Sequence, residues 1–176
     1  MKTILKAIGV IILLIVSYAL VALLAFDKNY HYEKTITINA PIEKVWQHTN
    51  SMKGFNEWNP WMRLDKNSVI TYKGKTGEVG DFYSWKGNDE VGQGEQQITA
   101  IIPNEKMSTK IHFIKPFESN ANSNVVLSGD GNNTKVTWDI NFELSTFMKI
   151  MRPMMNYQMG KSYEEGLQNL KQISEK

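Results

Sequence analysis

Few side chains in this sequence can move a proton, hold a metal or attack a carbonyl. There is no cysteine, which removes thiolate nucleophiles, thiolate metal sites and disulfides. The histidines are His31, His48 and His112. None pairs with another at the i, i+4 spacing by which a helix offers two imidazoles to one metal. No serine stands in a Gly-x-Ser-x-Gly elbow, so a hydrolase triad has no support. Gly74, Gly77 and Gly80 lack the following Lys-Ser/Thr and helix of a phosphate cradle, and read as a turn. Glu90, Glu95, Asp139 and Glu143 remain as carboxylates for acid–base work. A buried carboxylate has a raised pKa and can act as a general base. Asp139 and Glu143 alternate away from the Trp138 face and read as solvated. Glu95 lies on a strand that could border a cavity, with a surface strand charge as the simpler reading. No cofactor is called for, and the pattern leans away from catalysis.

The residues that stand out are apolar and polarizable. Trp58, Trp61, Tyr72, Phe82, Trp85, Phe113 and Trp138 are many large rings for a chain of 176 residues. Met151, Met154, Met155 and Met159 cluster near the C-terminus. Methionine is flexible and adapts to ligands of varied shape. Such a set either fills an ordinary core or lines a cavity for a hydrophobic molecule. Alternation puts Phe82 and Ser84 on one strand face and Tyr83 and Trp85 on the other; Tyr83 and Trp85 are the expected inward pair. Glu57-Trp58-Asn59-Pro60-Trp61 is either the rim of a cavity or a structural corner set by Pro60.

These residues need elements to position them. Phe147, Ile150, Met151 and Met154 recur at helical spacing, followed by Met155, Met159, Tyr163, Gly166, Leu167, Leu170 and Ile173. Pro153 interrupts the run, which predicts a short helix, a kink and a long helix from about residue 153. Leu167, Leu170 and Ile173 read as core contacts and the four methionines as a cavity wall. Ahead of this helix, nearly everything reads as strand. Residues 31–38 alternate as a first strand, ended by Asn39-Ala40-Pro41. Ile42, Val45 and Trp46 share a short helical face. A second short helix over 51–58 stops at Asn59-Pro60. Strands follow near 68–72, 80–86, 92–102, 106–114, 123–128 and 135–144, separated by Gly, Asn, Asp and Pro turns. Consecutive strands with short turns imply an antiparallel meander.

The N-terminus differs from the rest. Residues 7–26 carry no charge, and at ~1.5 Å per residue they reach about 30 Å, the thickness of a bilayer core. Lys2 and Lys6 precede the run, while Asp27 and Lys28 cancel after it. The positive-inside tendency predicts one transmembrane pass with a cytoplasmic N-terminus and an extracytoplasmic domain. A cleaved signal peptide competes, with Ser17-Tyr18-Ala19 as the candidate site, but seven apolar residues follow it. The expected organisation is an anchor over 1–26, a tether over 27–30 and one domain over 31–176. The chain has 20 basic and 18 acidic side chains. Setting aside Lys2 and Lys6 leaves 18 against 18 from Asp27 onward. A neutral domain without a basic run is a poor nucleic-acid binder.

Several local strings bear a family likeness in their order. They are Ile38-Asn39-Ala40-Pro41 with Val45-Trp46, Trp58-Asn59-Pro60-Trp61, Tyr72-Lys73-Gly74 with Val79-Gly80, Trp85-Lys86-Gly87-Asn88 and Val91-Gly92-Gln93-Gly94. Later come Lys115-Pro116-Phe117, Thr134 to Trp138 and Gly166 to Lys171. Over about residues 31–174 the chain resembles the START-like superfamily, in its bacterial polyketide cyclase/dehydrase and lipid-transport branch, also called SRPBCC. The resemblance implies an α+β helix-grip fold, in which a curved antiparallel sheet of about seven strands holds a long C-terminal helix and leaves a cavity. It does not account for the apolar N-terminus. The cavity candidates are Trp58, Trp61, Tyr72, Tyr83, Trp85, Phe113, Trp138, Met151, Met154, Met155 and Met159. The expected partner is a hydrophobic small molecule or lipid, bound at the outer membrane face for transport or sensing. A cyclase- or dehydrase-type enzyme and an envelope protein-interaction module are the alternatives.

Overall fold

The computed structural model describes residues 1–176. In chain order the elements are α1 (Lys2–Ala25), β1 (Asn29–Ile38), α2 (Ile42–Gln47), α3 (Met52–Trp58) and a 3-10 turn at Pro60–Arg63. The strands β2 (Val69–Lys73), β3 (Phe82–Lys86), β4 (Gln93–Ile102), β5 (Lys106–Lys115), β6 (Ser119–Asp130) and β7 (Asn133–Glu143) follow. The chain ends with α4 (Thr146–Ile150) and α5 (Arg152–Ser174).

One antiparallel sheet of seven strands runs in the order β1-β7-β6-β5-β4-β3-β2. β2 to β7 form the meander that the turn chemistry implies. β1 joins the far side of β7, with Asn29 opposite Glu143 and Ile38 opposite Thr134. Gly131 and Asn132 make a two-residue hairpin between β6 and β7, and Gly131 takes φ +57°, the left-handed conformation such turns need. The register of β4 against β5 shifts at Gln93/Gly94 and again at Ile98/Ala100. Irregularities of this kind bend a strand and increase its twist. The concave face of the bent sheet holds α5.

Two boundaries differ from the sequence expectation. β6 begins at Ser119 rather than near Ser123, because Asn120 and Asn122 on the wet face hide the alternation with buried Ala121. β1 begins at Asn29, inside the stretch expected to be a tether. Tyr30 is buried there against Phe142, with ring centroids 4.8 Å apart, so pairing continues to that end. The helix break at Pro153 is present: α4 ends at Ile150 and α5 has proline in its first turn.

Short polar contacts lock the small helices. Ser51 caps α3 by accepting from Gly54 N at 3.0 Å. Buried Asp81 accepts from Met52 N at 3.0 Å and from Gly77 N at 2.9 Å, tying α3 to the β2–β3 turn. On the inner side of α5, Tyr163, Leu167 and Leu170 are buried in the core, and Ile173 packs partly buried beside them. Gly166 faces Trp138 and Pro60. A Cβ on Gly166 would lie 2.9 Å from the Trp138 ring and 3.1 Å from Pro60. Neither ring is free to swing away.

Leu167→Ala is expected to cost about 2–5 kcal/mol, as for other fully buried leucines. Gly166→Ala should cost about 1–3 kcal/mol by overpacking. Urea unfolding of the full chain in detergent measures both. A Gly166→Ala protein as stable as its parent would show that the approach of α5 to Trp138 has slack.

Candidate functional site

The grip leaves a cavity of about 300 Å³ between α5, the concave sheet and the α3–3-10 segment. Its walls are mostly apolar. Trp61, Tyr83, Trp85, Phe113, Trp138 and Met159 line it, together with Phe55, Met62, Ile111, Ile140, Phe142 and Tyr163. Alternation explains the sheet's share: Tyr83 and Trp85 on β3, Ile111 and Phe113 on β5, and Trp138, Ile140 and Phe142 on β7 all point to the concave side. Gly94 makes room for Trp85. A Cβ on Gly94 would fall 2.5 Å from the indole Cζ2, so only glycine lets that ring lie across β4.

Other expected site residues sit elsewhere. Trp58 is fully buried outside the lining. It packs edge-on to Phe55 and Trp138, and its Nε1–H donates to His48 O at 2.9 Å. It is the corner of the Glu57–Trp61 stretch, whereas Trp61 is on the cavity. Tyr72 is 38% exposed on the sheet's edge strand β2 and accepts from Asn56 Nδ2 at 3.1 Å. Met151, Met154 and Met155 lie outside the lining. The helical stripe suggested one continuous wall, but the cavity does not run the length of α5, whose start at Arg152 lies instead over Tyr30 of β1. Only Met159, two turns on, reaches the cavity.

The buried polar groups of the cavity are neutral. Tyr83 Oη donates to Gln96 Oε1 at 3.2 Å and accepts from Asn59 Nδ2 at 3.4 Å. Gln96 Nε2 donates to Thr109 Oγ1 at 2.8 Å, and Thr109 donates to Ser123 O at 3.2 Å. Trp138 Nε1–H donates to Ser123 Oγ at 3.2 Å. Burial pushes the phenols of Tyr83 and Tyr163 well above the usual tyrosine range. Both remain protonated at neutral pH and act only as hydrogen-bonding groups. Sequence reading missed Gln96, Ser123 and Tyr163 as lining residues. The signal was present in parity: a glutamine and a serine stand where the alternation demands inward, apolar side chains.

The four carboxylates considered for acid–base work and the three imidazoles are not in the depth of the cavity. Glu95 lies 3.5 Å from His112, which also meets Glu118 at 3.2 Å. Asp139 accepts from Asn124 and Asn141 at 3.0 Å, and Glu143 pairs with Lys28 at 3.5 Å. His48 contacts Glu57 at 2.6 Å, and His31 contacts Asn141 at 2.7 Å. Glu90 and Lys115 are at the cavity's exposed rim. A second, wider groove of about 840 Å³ runs along the outer sheet face. The row Gln97, Lys110, Asn122, Asn141 and His31 crosses it, and its polarity suits water rather than an apolar ligand.

A family profile described as polyketide cyclase / dehydrase and lipid transport matches residues 30–175. The chain belongs to this family. Solved structures share the fold of this lipid-transport and cyclase family member at low identity. A Thermobifida fusca protein aligns with TM-score 0.63 and 15% identity, covering 82% of this chain and 92% of that one. A Chromobacterium violaceum protein gives 0.60 and 10%, covering 83% and 97%. One from Nitrosospira multiformis gives 0.57 and 22%, covering 80% and 93%. No curated protein sequence matches the chain significantly. Polyketide cyclase/dehydrase and lipid-transport membership points to hydrophobic ligand binding, in keeping with the cavity's walls.

The Tyr83–Gln96 contact gives a direct check on the polar floor. Tyr83→Phe and Gln96→Leu should each cost about 1–3 kcal/mol, because each leaves a buried partner unpaired. The double variant should cost clearly less than the sum. Additive losses in urea unfolding would mean that the two groups do not interact.

Proposed function

We propose that this protein binds a small apolar molecule, or one end of a single acyl chain, in the cavity beside α5, and that α1 holds it at the extracytoplasmic face of a membrane. The observation that carries the reading is the cavity itself: mostly apolar walls, a neutral polar floor and charged side chains, Glu90 and Lys115, only at the rim. Its 300 Å³ is at the small end for ligand pockets and equals about ten waters' share of liquid volume. A whole two-chain phospholipid is too large for it. Tyr83 and Gln96 suit one hydroxyl or carbonyl on an otherwise apolar ligand. α1 supports the location: it is long and apolar enough to span a bilayer, and nearly all of it is unburied. Lys2 and Lys6 at its start support a cytoplasmic N-terminus. On this reading residues 1–26 are the anchor and the remainder is the binding domain.

A cyclase or dehydrase reaction would need an acid or base beside the reacting carbon. The groups facing the cavity's depth are phenols, amides and hydroxyls, so binding is the better supported reading. A protein-interaction module would call for a solid core, which the cavity argues against.

Native mass spectrometry of the full chain extracted in mild detergent is expected to show a bound apolar mass. Met159→Trp should fill the cavity and abolish both that mass and binding of a hydrophobic fluorophore, with an unchanged circular dichroism spectrum. Met155→Trp should leave both intact. Parent protein that carries no mass and takes up no fluorophore sinks the proposal. A Met155→Trp chain as impaired as Met159→Trp would move the site.

A further inference from the structure

The contact between α1 and α4 sets a depth. Tyr18 Oη donates to Ile150 O at 2.8 Å. Tyr18 lies seven residues before the end of α1 at Ala25, so the contact is about 10 Å back along the helix at ~1.5 Å per residue. α4 therefore runs beside α1 instead of standing clear of its end. Ala19, Ala22 and Leu23 are the shielded residues of α1, with Ala22 fully buried, while their neighbours are exposed. Small residues at that spacing allow close helix approach within lipid.

Two cations mark where the slab should end. Lys149 Nζ donates to Leu23 O at 2.6 Å, and Arg152 donates to Asp27 O at 3.0 Å. Lys149 meets a free carbonyl in the last turn of α1, the negative end of the helix, and Arg152 meets the carbonyl two residues beyond that end, at the level where lysine and arginine snorkel to the interface. On the sides left open, the segment shows Phe147 at 67% and Met154 at 53% exposure, then Tyr157 at 60%. Phe117, 69% exposed, joins them from the β5–β6 turn at the same end of the sheet. The pattern is that of an interfacial segment: apolar face outward, cations at headgroup level. The cavity rim, at Glu90, Lys115 and Pro116, belongs to this end as well.

Resting on the anchor reading above, we infer that α4 and the first turns of α5 form a wedge embedded in the outer leaflet, packed on α1, which seats the cavity mouth on the lipid surface. The occupant of this apolar face is the acyl-chain and glycerol region of the bilayer that α1 crosses. The depth of the Tyr18–Ile150 contact requires it: if residues 7–26 span the core, Ile150 lies within it. The wedge gives a ligand a path from leaflet to cavity without crossing water.

The absence of native cysteine permits single-site labelling. Phe147→Cys, Met154→Cys, Leu13→Cys and Lys135→Cys chains carry a nitrobenzoxadiazole probe and are reconstituted in phosphatidylcholine–phosphatidylglycerol vesicles. Quenching is read with lipids spin-labelled near the glycerol or mid-chain, and with aqueous iodide. The expected result is that probes at 147 and 154 are blue-shifted, lose emission to shallow spin-labelled lipid and resist iodide. The probe at 13 should respond to mid-chain lipid, and that at 135 to iodide alone. Iodide-accessible, lipid-insensitive probes at 147 and 154, with 13 still quenched by lipid, would overturn the wedge and leave the anchor standing. A probe at 13 that lipid does not quench would overturn the anchor, and the wedge with it.

Discussion

The packing of Trp138 against α5 is the contact on which the rest of the fold hangs. Its ring stacks on Tyr163 with centroids 3.9 Å apart and planes 15° off parallel. Phe55, Trp58 and Trp61 meet it edge-on, the arrangement that aromatic quadrupoles favour. One residue of β7 thus joins the sheet, the long helix, α3 and the 3-10 turn. This close approach has a geometric condition in Gly166, where a methyl group would collide with the same ring. The cavity is the space beside that contact, and Trp138 and Tyr163 themselves form part of its wall.

Much of this was legible from residue order. β7 was readable because Val136, Trp138, Ile140 and Phe142 alternate cleanly with Thr137, Asp139 and Asn141. The break at Pro153 was readable because proline leaves few options. The inward choice of Tyr83 and Trp85 also agrees with their burial. The methionine wall was harder, because a helical stripe shows which residues share a face but not where along the helix the partner stops. Met151 and Met155 are on the proper stripe for a cavity that does not extend to them. Trp58 and Trp61 posed the reverse problem. Three positions apart in one short string, they part company because α3 ends between them and the chain turns at Pro60. Gln96 and Ser123 were hidden by their chemistry, since polar side chains at inward positions look like breaks in a pattern rather than features of a site.

The character of the cavity follows from what faces away from it. Glu95, His112, His31, Asp139 and Glu143 are on the outer sheet surface, where they pair with polar neighbours in water. Inside, the hydrogen-bonding groups form a closed chain from Asn59 through Tyr83, Gln96 and Thr109 to Ser123. Each buried polar atom in that chain has a partner, so it adds no desolvation penalty that a ligand must offset. An apolar guest can enter without stripping a charge, and a single polar atom on it can compete for one link.

The segment joining α1 to β1 has only Phe26, Asp27 and Lys28 outside regular structure. Fully extended, three residues cover about 10 Å, and Tyr30 is locked into the sheet immediately afterwards. On the reading proposed above, such a short leash forbids travel. A domain held this way cannot carry cargo across an aqueous gap to a second membrane. It can serve only as a fixed station, taking molecules from the leaflet beneath it and presenting them to whatever diffuses past.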